Sequence, residues 1–239
     1  MDIQISKGDN SYKIYAYTDN ISKKNGFVEC KYKKAVVLFV GGAADKESFA
    51  GQTATNIMGL VKDNFEKIFE KNNQYLSNHL GYNEIYGEER INKNVISFIP
   101  NKEGTEIFII GHSLGGWNGA HLTHKLVSKG YKVKVLVTLD PVGARRGTAV
   151  VDIYYNYPTP KSDFWIDIYT NPDNNEIDDN VADLGGQWTP NKQETTYFIE
   201  TKLHHGDASG MLDEKLIKEI GLSSRTLLIN KINNYLFAQ

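Results

Sequence analysis

The sequence has a single cysteine, Cys30, so no intrachain disulfide is available and the chain is compatible with a reducing compartment. Prolines number only six in 239 residues, with no Ser/Gly-rich linker and no long block of like charge to mark a domain boundary. One domain, residues 1–239, is therefore expected. No stretch approaches the roughly 20 apolar residues that a membrane span needs. The formal net charge of −2 gives no overall attraction to nucleic acid or to an anionic bilayer. A nucleic-acid partner is not expected, and any peripheral membrane contact has to come from a local apolar patch. The N-terminal segment Met1 to Lys7 lacks a basic stretch followed by an apolar run, so a secretory signal is not expected there. The cytoplasm is the default compartment, with export by a route that uses no cleaved signal left open.

What is present is a pattern of alternating elements. Ile3 and Ile5, then Tyr12, Ile14 and Ala16, alternate with polar residues around Gly8-Asp9-Asn10, which predicts a hairpin. Ala35 to Val40 is a continuous apolar run, the signature of a strand covered on both faces, and it ends in Gly41-Gly42. Ile57, Leu60, Val61, Phe65, Ile68 and Phe69 recur at helical spacing. A second helical pattern carries Ile91, Val95, Ile96 and Ile99 up to Pro100.

Strands are then predicted at Ile107–Ile110, around Val133–Val137, and at Phe164–Tyr169. A helix is predicted from Leu114 to Ser128, capped by Gly130. A polar loop from about Asn171 to Gln193 precedes a last strand, Thr195–Ile199, and the tail reads as helices near Met211–Ile220 and Thr226–Leu236. Alternation of buried strands with helices predicts an α/β fold, a mostly parallel central sheet flanked by helices.

The segment with the most specific chemistry is Gly111-His112-Ser113-Leu114-Gly115-Gly116, a Gly-x-Ser-x-Gly motif between a predicted strand and a predicted helix. A serine displayed at such a junction needs an unusual backbone conformation, and close packing of strand against helix leaves no room for side chains at the flanking positions. The helix that follows aims free N–H groups at the reacting centre.

This segment resembles the nucleophile elbow of α/β-hydrolase lipases and esterases. Val40-Gly41-Gly42-Ala43-Ala44-Asp45-Lys46 resembles the oxyanion loop of bacterial lipase-like members of that superfamily. The resemblance implies the α/β-hydrolase fold, Ser113 as nucleophile, and an oxyanion hole made by the N–H of Leu114 with that of Gly42 or Ala43. It also implies the chain order serine, acid, histidine.

His79 precedes the serine, and His112, the variable residue of the elbow, is expected to turn away from the hydroxyl. His121 and His124 recede along the following helix at about 1.5 Å per residue, with no further ligand beside them. No metal and no cofactor are expected. His204 and His205 are left as candidates for the base. His205-Gly206-Asp207-Ala208 resembles the pattern in related lipases, which favours His205. For the acid, Leu139-Asp140-Pro141 resembles the segment of lipases whose acid follows the strand after the nucleophile strand. Asp173 and then Asp183 are its competitors.

The function implied is cleavage of a carboxylic ester of a lipid-like or small ester substrate through an acyl-enzyme. Open alternatives are a thioesterase or acyltransferase on the same fold, and a non-catalytic binding module. Trp117, Tyr154, Tyr155, Tyr157, Phe164, Trp165 and Trp188 are candidates to line an acyl pocket, although packing is the commoner role for such residues. The segment Asn171–Trp188 has the length of a lid, and Arg145-Arg146 could meet a phosphate.

Overall fold

In the computed structural model, residues 2–7, 11–17, 28–31, 33–49, 51, 53–145 and 152–237 are described. Three antiparallel strands open the chain: β1 (Asp2–Lys7), β2 (Ser11–Tyr17) and β3 (Val28–Lys31). β1 and β2 pair with Ile5 opposite Ile14, as the alternation predicts, while Gly8-Asp9-Asn10 lies outside the described residues.

The central sheet is built from β4 (Lys34–Gly41), β5 (Tyr75–Gly81), β6 (Thr105–His112), β7 (Lys132–Leu139), β8 (Phe164–Thr170) and β9 (Tyr197–Thr201). Its order is β5-β4-β6-β7-β8-β9, and every pairing is parallel. This is the parallel central sheet flanked by helices expected from the sequence.

The apolar run in β4 has a direct explanation. Ala35, Val37 and Phe39 enter the core on one face, and Val36, Leu38 and Val40 enter the core on the other. Each side chain of this set larger than Ala35 contributes about 1.5–3 kcal/mol when withdrawn from water, so polar residues are disfavoured on either face. The first face is covered by α1 (Ile57–Phe69), α5 (Ala208–Asp213) and α6 (Ser224–Phe237), through Phe65, Met211 and Leu228 among others. The second is covered by α2 (Glu88–Asn94) and α3 (Leu114–Ser128), through Ile91, Trp117 and Leu122.

The helix after β4 thus lies on the opposite face from the helix after β6. The strand order reverses between these two neighbours, and their C-terminal ends open a crevice. Such switch points are where ligands bind in open α/β sheets.

Several expectations need correction. The stretch read as a polar loop from Asn171 to Gln193 contains α4 (Ile177–Gly185), nine residues whose apolar positions Ile177, Val181 and Leu184 are interleaved with Asp178, Asp179 and Asp183 inside a long polar stretch. The tail segment Met211–Ile220 is not one helix. α5 ends at Asp213, and β10 (Lys215–Ile217) then pairs with β11 (Leu222–Ser223). β5 has no counterpart among the predicted strands, because an edge strand with Ser77, Asn78 and His79 at its centre lacks the apolar run of its neighbour. Among the described residues no helix is long and apolar enough to cross a membrane.

One core residue stands apart. Asp167 on β8 is fully buried, with Oδ1 bonded to the Thr138 hydroxyl and Oδ2 without a partner among the described residues. Burial pushes its carboxyl up to about 8, so it is protonated at neutral pH. An unfolded chain ionises it near the ordinary value of 3.8. The native state is therefore increasingly disfavoured as pH rises from that value through about 8. Asp167→Asn, which cannot ionise, is expected to raise stability by about 1–3 kcal/mol at pH 8, with the gain shrinking towards pH 4. Denaturant unfolding at the two pH values measures it.

Candidate active site

The crevice is floored by the junction of β6 and α3. Ser113 stands there at φ 57° and ψ −129°, a conformation that costs a residue with a side chain about 1–3 kcal/mol. The surroundings leave no alternative. A Cβ on Gly111 would lie 2.4 Å from the Gly115 carbonyl oxygen, and one on Gly115 would lie 2.3 Å from that of Val40. Ser113 is also tied down at both backbone groups. Its N–H donates to Leu139 at 3.1 Å, and its carbonyl accepts from Gly116 at 2.9 Å and Val142 at 3.1 Å.

Leu114 opens α3, so its N–H has no partner within the helix and is directed to the crevice end of the helix. The chain leaving β4 passes directly over the serine. A Cβ on Gly42 would come within 2.5 Å of the Ser113 Cβ and 2.9 Å of its Oγ. Ala43 and Ala44 follow along the cavity wall. This loop is fastened by Asp45, a buried residue to which the sequence reading assigned no role. Its carboxylate accepts the Met58 N–H at 3.1 Å and its carbonyl the Asn56 N–H at 2.8 Å, which anchors the loop to the N-terminus of α1.

Asp140 follows β7 directly and is 0% exposed, with φ 43°. Its Oδ2 lies 2.6 Å from Nδ1 of His205, which sits between β9 and α5. The Thr170 N–H donates to Oδ1 at 3.0 Å, and the Gln187 side-chain amide donates to both oxygens at 2.8 and 3.0 Å. Burial works to raise this carboxyl, but His205 and these donors outweigh it and leave it below the usual range. The buried aspartate is therefore an anion.

His204 is turned elsewhere, with Nδ1 at 2.7 Å from Asp179. Asp173 pairs on the surface with Lys202 at 2.9 Å, and Asp183 accepts from the Asn175 amide at 3.1 Å. Neither is near either histidine by any contact among the described residues.

His112 is not simply turned away. Its ring lies against that of His205, 4.7 Å between centroids, and its Nε2 is 2.7 Å from the His205 carbonyl. Burial, with His205 alongside, lowers it to about 4, so it is neutral and donates Nε2–H to that carbonyl.

Ser113, His112 and His205 share one cavity of about 530 Å³ whose walls include Ala43, Ala44, Phe49, Ile57, Ile177 and Val181. No hydrogen bond joins Ser113 Oγ to His205 among the described residues, a separation common before substrate binds. None of the seven aromatic candidates lines this cavity. Trp117, Trp165 and Trp188 pack together in the core, and Tyr155 and Tyr157 are exposed. Arg145 is exposed and away from the cavity, and Arg146 lies outside the described residues. His121 and His124 contact Asn156 and Thr159, and no metal-like group of three acidic, histidine or cysteine side chains occurs among the described residues.

No family model and no curated protein matches the sequence. Among the solved structures that resemble it in outline are the following two. One is a protein of Lactobacillus plantarum WCFS1 designated a cell surface hydrolase, with a TM-score of 0.43 and 11% identity over 87% of this chain and 93% of that one. The other is ESTFA in its FE-lacking apo form, with a TM-score of 0.40 and 14% identity over 99% of this chain and 85% of that one. Likeness of that extent bears on neither activity nor substrate.

Gln187 is the member of this cluster with no signal in the sequence. Gln187→Leu removes the only side-chain amide that donates to Asp140 among the described residues and so raises its carboxyl. A carboxyl held low in the native state stabilises above its unfolded value and loses that effect as pH falls. The substitution is therefore expected to cost about 1–3 kcal/mol at pH 7, with the difference closing below pH 4. Denaturant melts across that range report it.

Proposed function

We propose that the chain is a serine hydrolase that cleaves carboxylic esters of lipid-like substrates, with Ser113 as nucleophile, His205 as base and Asp140 as the acid that orients it. The observation that carries this reading is the 2.6 Å contact between a fully buried, anionic Asp140 and His205, facing the cavity that displays Ser113.

In this reading His205 Nδ1–H donates to Asp140, which leaves Nε2 unprotonated and able to take the Ser113 proton as Oγ attacks the ester carbonyl. Asp140 steadies the imidazolium that forms. The tetrahedral oxyanion is met by the Leu114 N–H and by that of Gly42 or Ala43, donors already in place on rigid backbone. Collapse returns the proton to the departing alcohol and leaves an acyl-enzyme. Water, activated by the same base, then releases the acid. No cofactor enters any of these steps.

The lipid-like substrate is supported by the lining. Phe49, Ile57, Ile177 and Val181 make an apolar wall, and among the described residues the charged carboxylates at the cavity are Glu176 and Asp178, with no lysine or arginine to meet an anionic group. Ile177, Val181 and Leu184 also recur along one side of α4 and are exposed, Ile177 to 77%. Beside the cavity they form the local apolar patch that contact with a lipid surface requires.

Fluorophosphonate labelling of wild type and Ser113→Ala tests the chemistry. Wild type is expected to label and the variant not to. His205→Ala is expected to lower kcat on p-nitrophenyl esters by about 10⁴-fold or more. Rates should rise from acetyl to medium-chain esters as the acyl group fills the cavity. A folded wild type that neither labels nor turns over any ester would instead indicate a binding module.

A further inference from the structure

His205 is gripped at three points, and only one of them is Asp140. Its backbone N–H donates to Asp179 Oδ1 at 2.7 Å, and its carbonyl accepts from His112 Nε2 at 2.7 Å. The next residue is held the same way, with the Gly206 N–H donating to Asp178 Oδ2 at 2.6 Å. Two consecutive peptide N–H groups of the loop that carries His205 thus each meet a carboxylate from the first turn of α4.

The Asp179 carboxylate has its hydrogen-bonding capacity taken up within the fold. Asp179 is 4% exposed, and its second oxygen receives the Glu176 N–H at 2.8 Å and His204 Nδ1 at 2.7 Å. Charge-assisted bonds of this length are roughly twice as strong as neutral ones and are directional. Burying a carboxylate is a costly way merely to pack a helix, since apolar contacts would hold it without desolvating a charge. The cost is intelligible if the quantity being controlled is position. Asp140 fixes one ring nitrogen but leaves the backbone that carries the ring free to slide, and misplacement of a catalytic group by about 1 Å costs on the order of 10²-fold in rate.

We propose that Asp179, assisted by Asp178, is a positioning residue that sets the base through its backbone. Because Ile177 and Val181 of the same helix form a wall of the cavity, α4 registers the bound acyl group and the base against each other as one piece. This rests on the reading of His205 as the base.

The test is a double-mutant cycle in the full-length chain. It follows the rate of fluorophosphonate labelling of Ser113 and the kcat and KM for a short p-nitrophenyl ester. Asp179→Ala leaves the His205 N–H without its acceptor and is expected to lower both labelling rate and kcat by about 10- to 100-fold, with KM changed by less than about 3-fold. On a His205→Ala background the same substitution is expected to change the residual rate by less than about 2-fold, because it then has no base to misplace. If Asp179→Ala does not fold, Asp179→Leu, which keeps the bulk and offers no acceptor, carries the same comparison. Equal losses in both backgrounds, or a folded Asp179 variant with wild-type kcat, would overturn the clamp alone. A His205→Ala variant as reactive as wild type would overturn the reading of the base and the clamp with it.

Discussion

The closeness of three backbone segments at the switch point of the sheet is the constraint on which the rest of the site depends. The end of β4, the end of β6 and the start of α3 approach so nearly that Gly42, Gly111 and Gly115 each lack room for a Cβ. That crowding holds Ser113 at positive φ and brings the chain after β4 over its hydroxyl. It also leaves the first N–H groups of α3 facing the crevice. A side chain at any of the three glycines would separate elements that the cavity needs in contact. The strain at Ser113 persists because its backbone is bonded on both sides to Leu139, Gly116 and Val142.

A second constraint is electrostatic, and two aspartates, one directly after β7 and one on β8, show it. Asp140 and Asp167 are equally buried, yet one is held charged and the other neutral. The difference lies in what donates to them. Asp140 receives the Thr170 N–H, the Gln187 amide and His205, enough to replace the water it lost. Asp167 is left with one hydroxyl neighbour and an unpartnered oxygen, so it keeps its proton. Burial alone does not decide charge in this core. The donor set does, and it separates an oriented anion from a neutral core acid only a few ångströms of sheet away.

The same distinction explains what could be read in the sequence. The Gly-x-Ser-x-Gly segment is legible because its requirements are local: strand, tight turn and helix each leave a mark within a few residues of Ser113. Asp140 is legible by its place, at a strand end before Pro141. The preference for His205 over His204 rests on the resemblance of His205-Gly206-Asp207-Ala208 alone, because adjacent histidines in a loop otherwise carry the same local signal. The structure gives each a different acid, Asp179 for one and Asp140 for the other. The partner of His204 lies on α4, a nine-residue helix set inside a long polar stretch. Gln187 left no trace either, since an amide gains its meaning only from the carboxylate brought to it from 47 positions away. Sequence pattern thus reaches the residues whose geometry is set by their neighbours in the chain and misses those set across it.

α4 belongs to the second kind, and its placement follows from what surrounds it. A helix of nine residues is marginal by itself, so its position has to be imposed from outside. At its N-terminal end Asp178 and Asp179 hold the backbone of Gly206 and His205. At its C-terminal end the Gly186 carbonyl accepts the N–H groups of Gly143 and Ala144, both at 2.9 Å, in the segment that follows Asp140. Immediately beyond, Gln187 reaches Asp140 itself, and the Trp188 N–H donates to Pro141 at 2.7 Å. The stretch from Glu176 to Trp188 is therefore a strap that joins the segment bearing the acid to the loop bearing the histidine. β7 and β9, from which those two segments emerge, are not neighbours in the sheet, because β8 lies between them. Without a connection over the top of β8, the 2.6 Å bond between Asp140 and His205 would be the main link across that gap, and a single hydrogen bond to a charged group is worth only about 1.5–3 kcal/mol. The strap divides that burden among several bonds while presenting Ile177 and Val181 to the cavity. The element that walls the cavity beside Ser113 is thus also the element that keeps Asp140 and His205 in register.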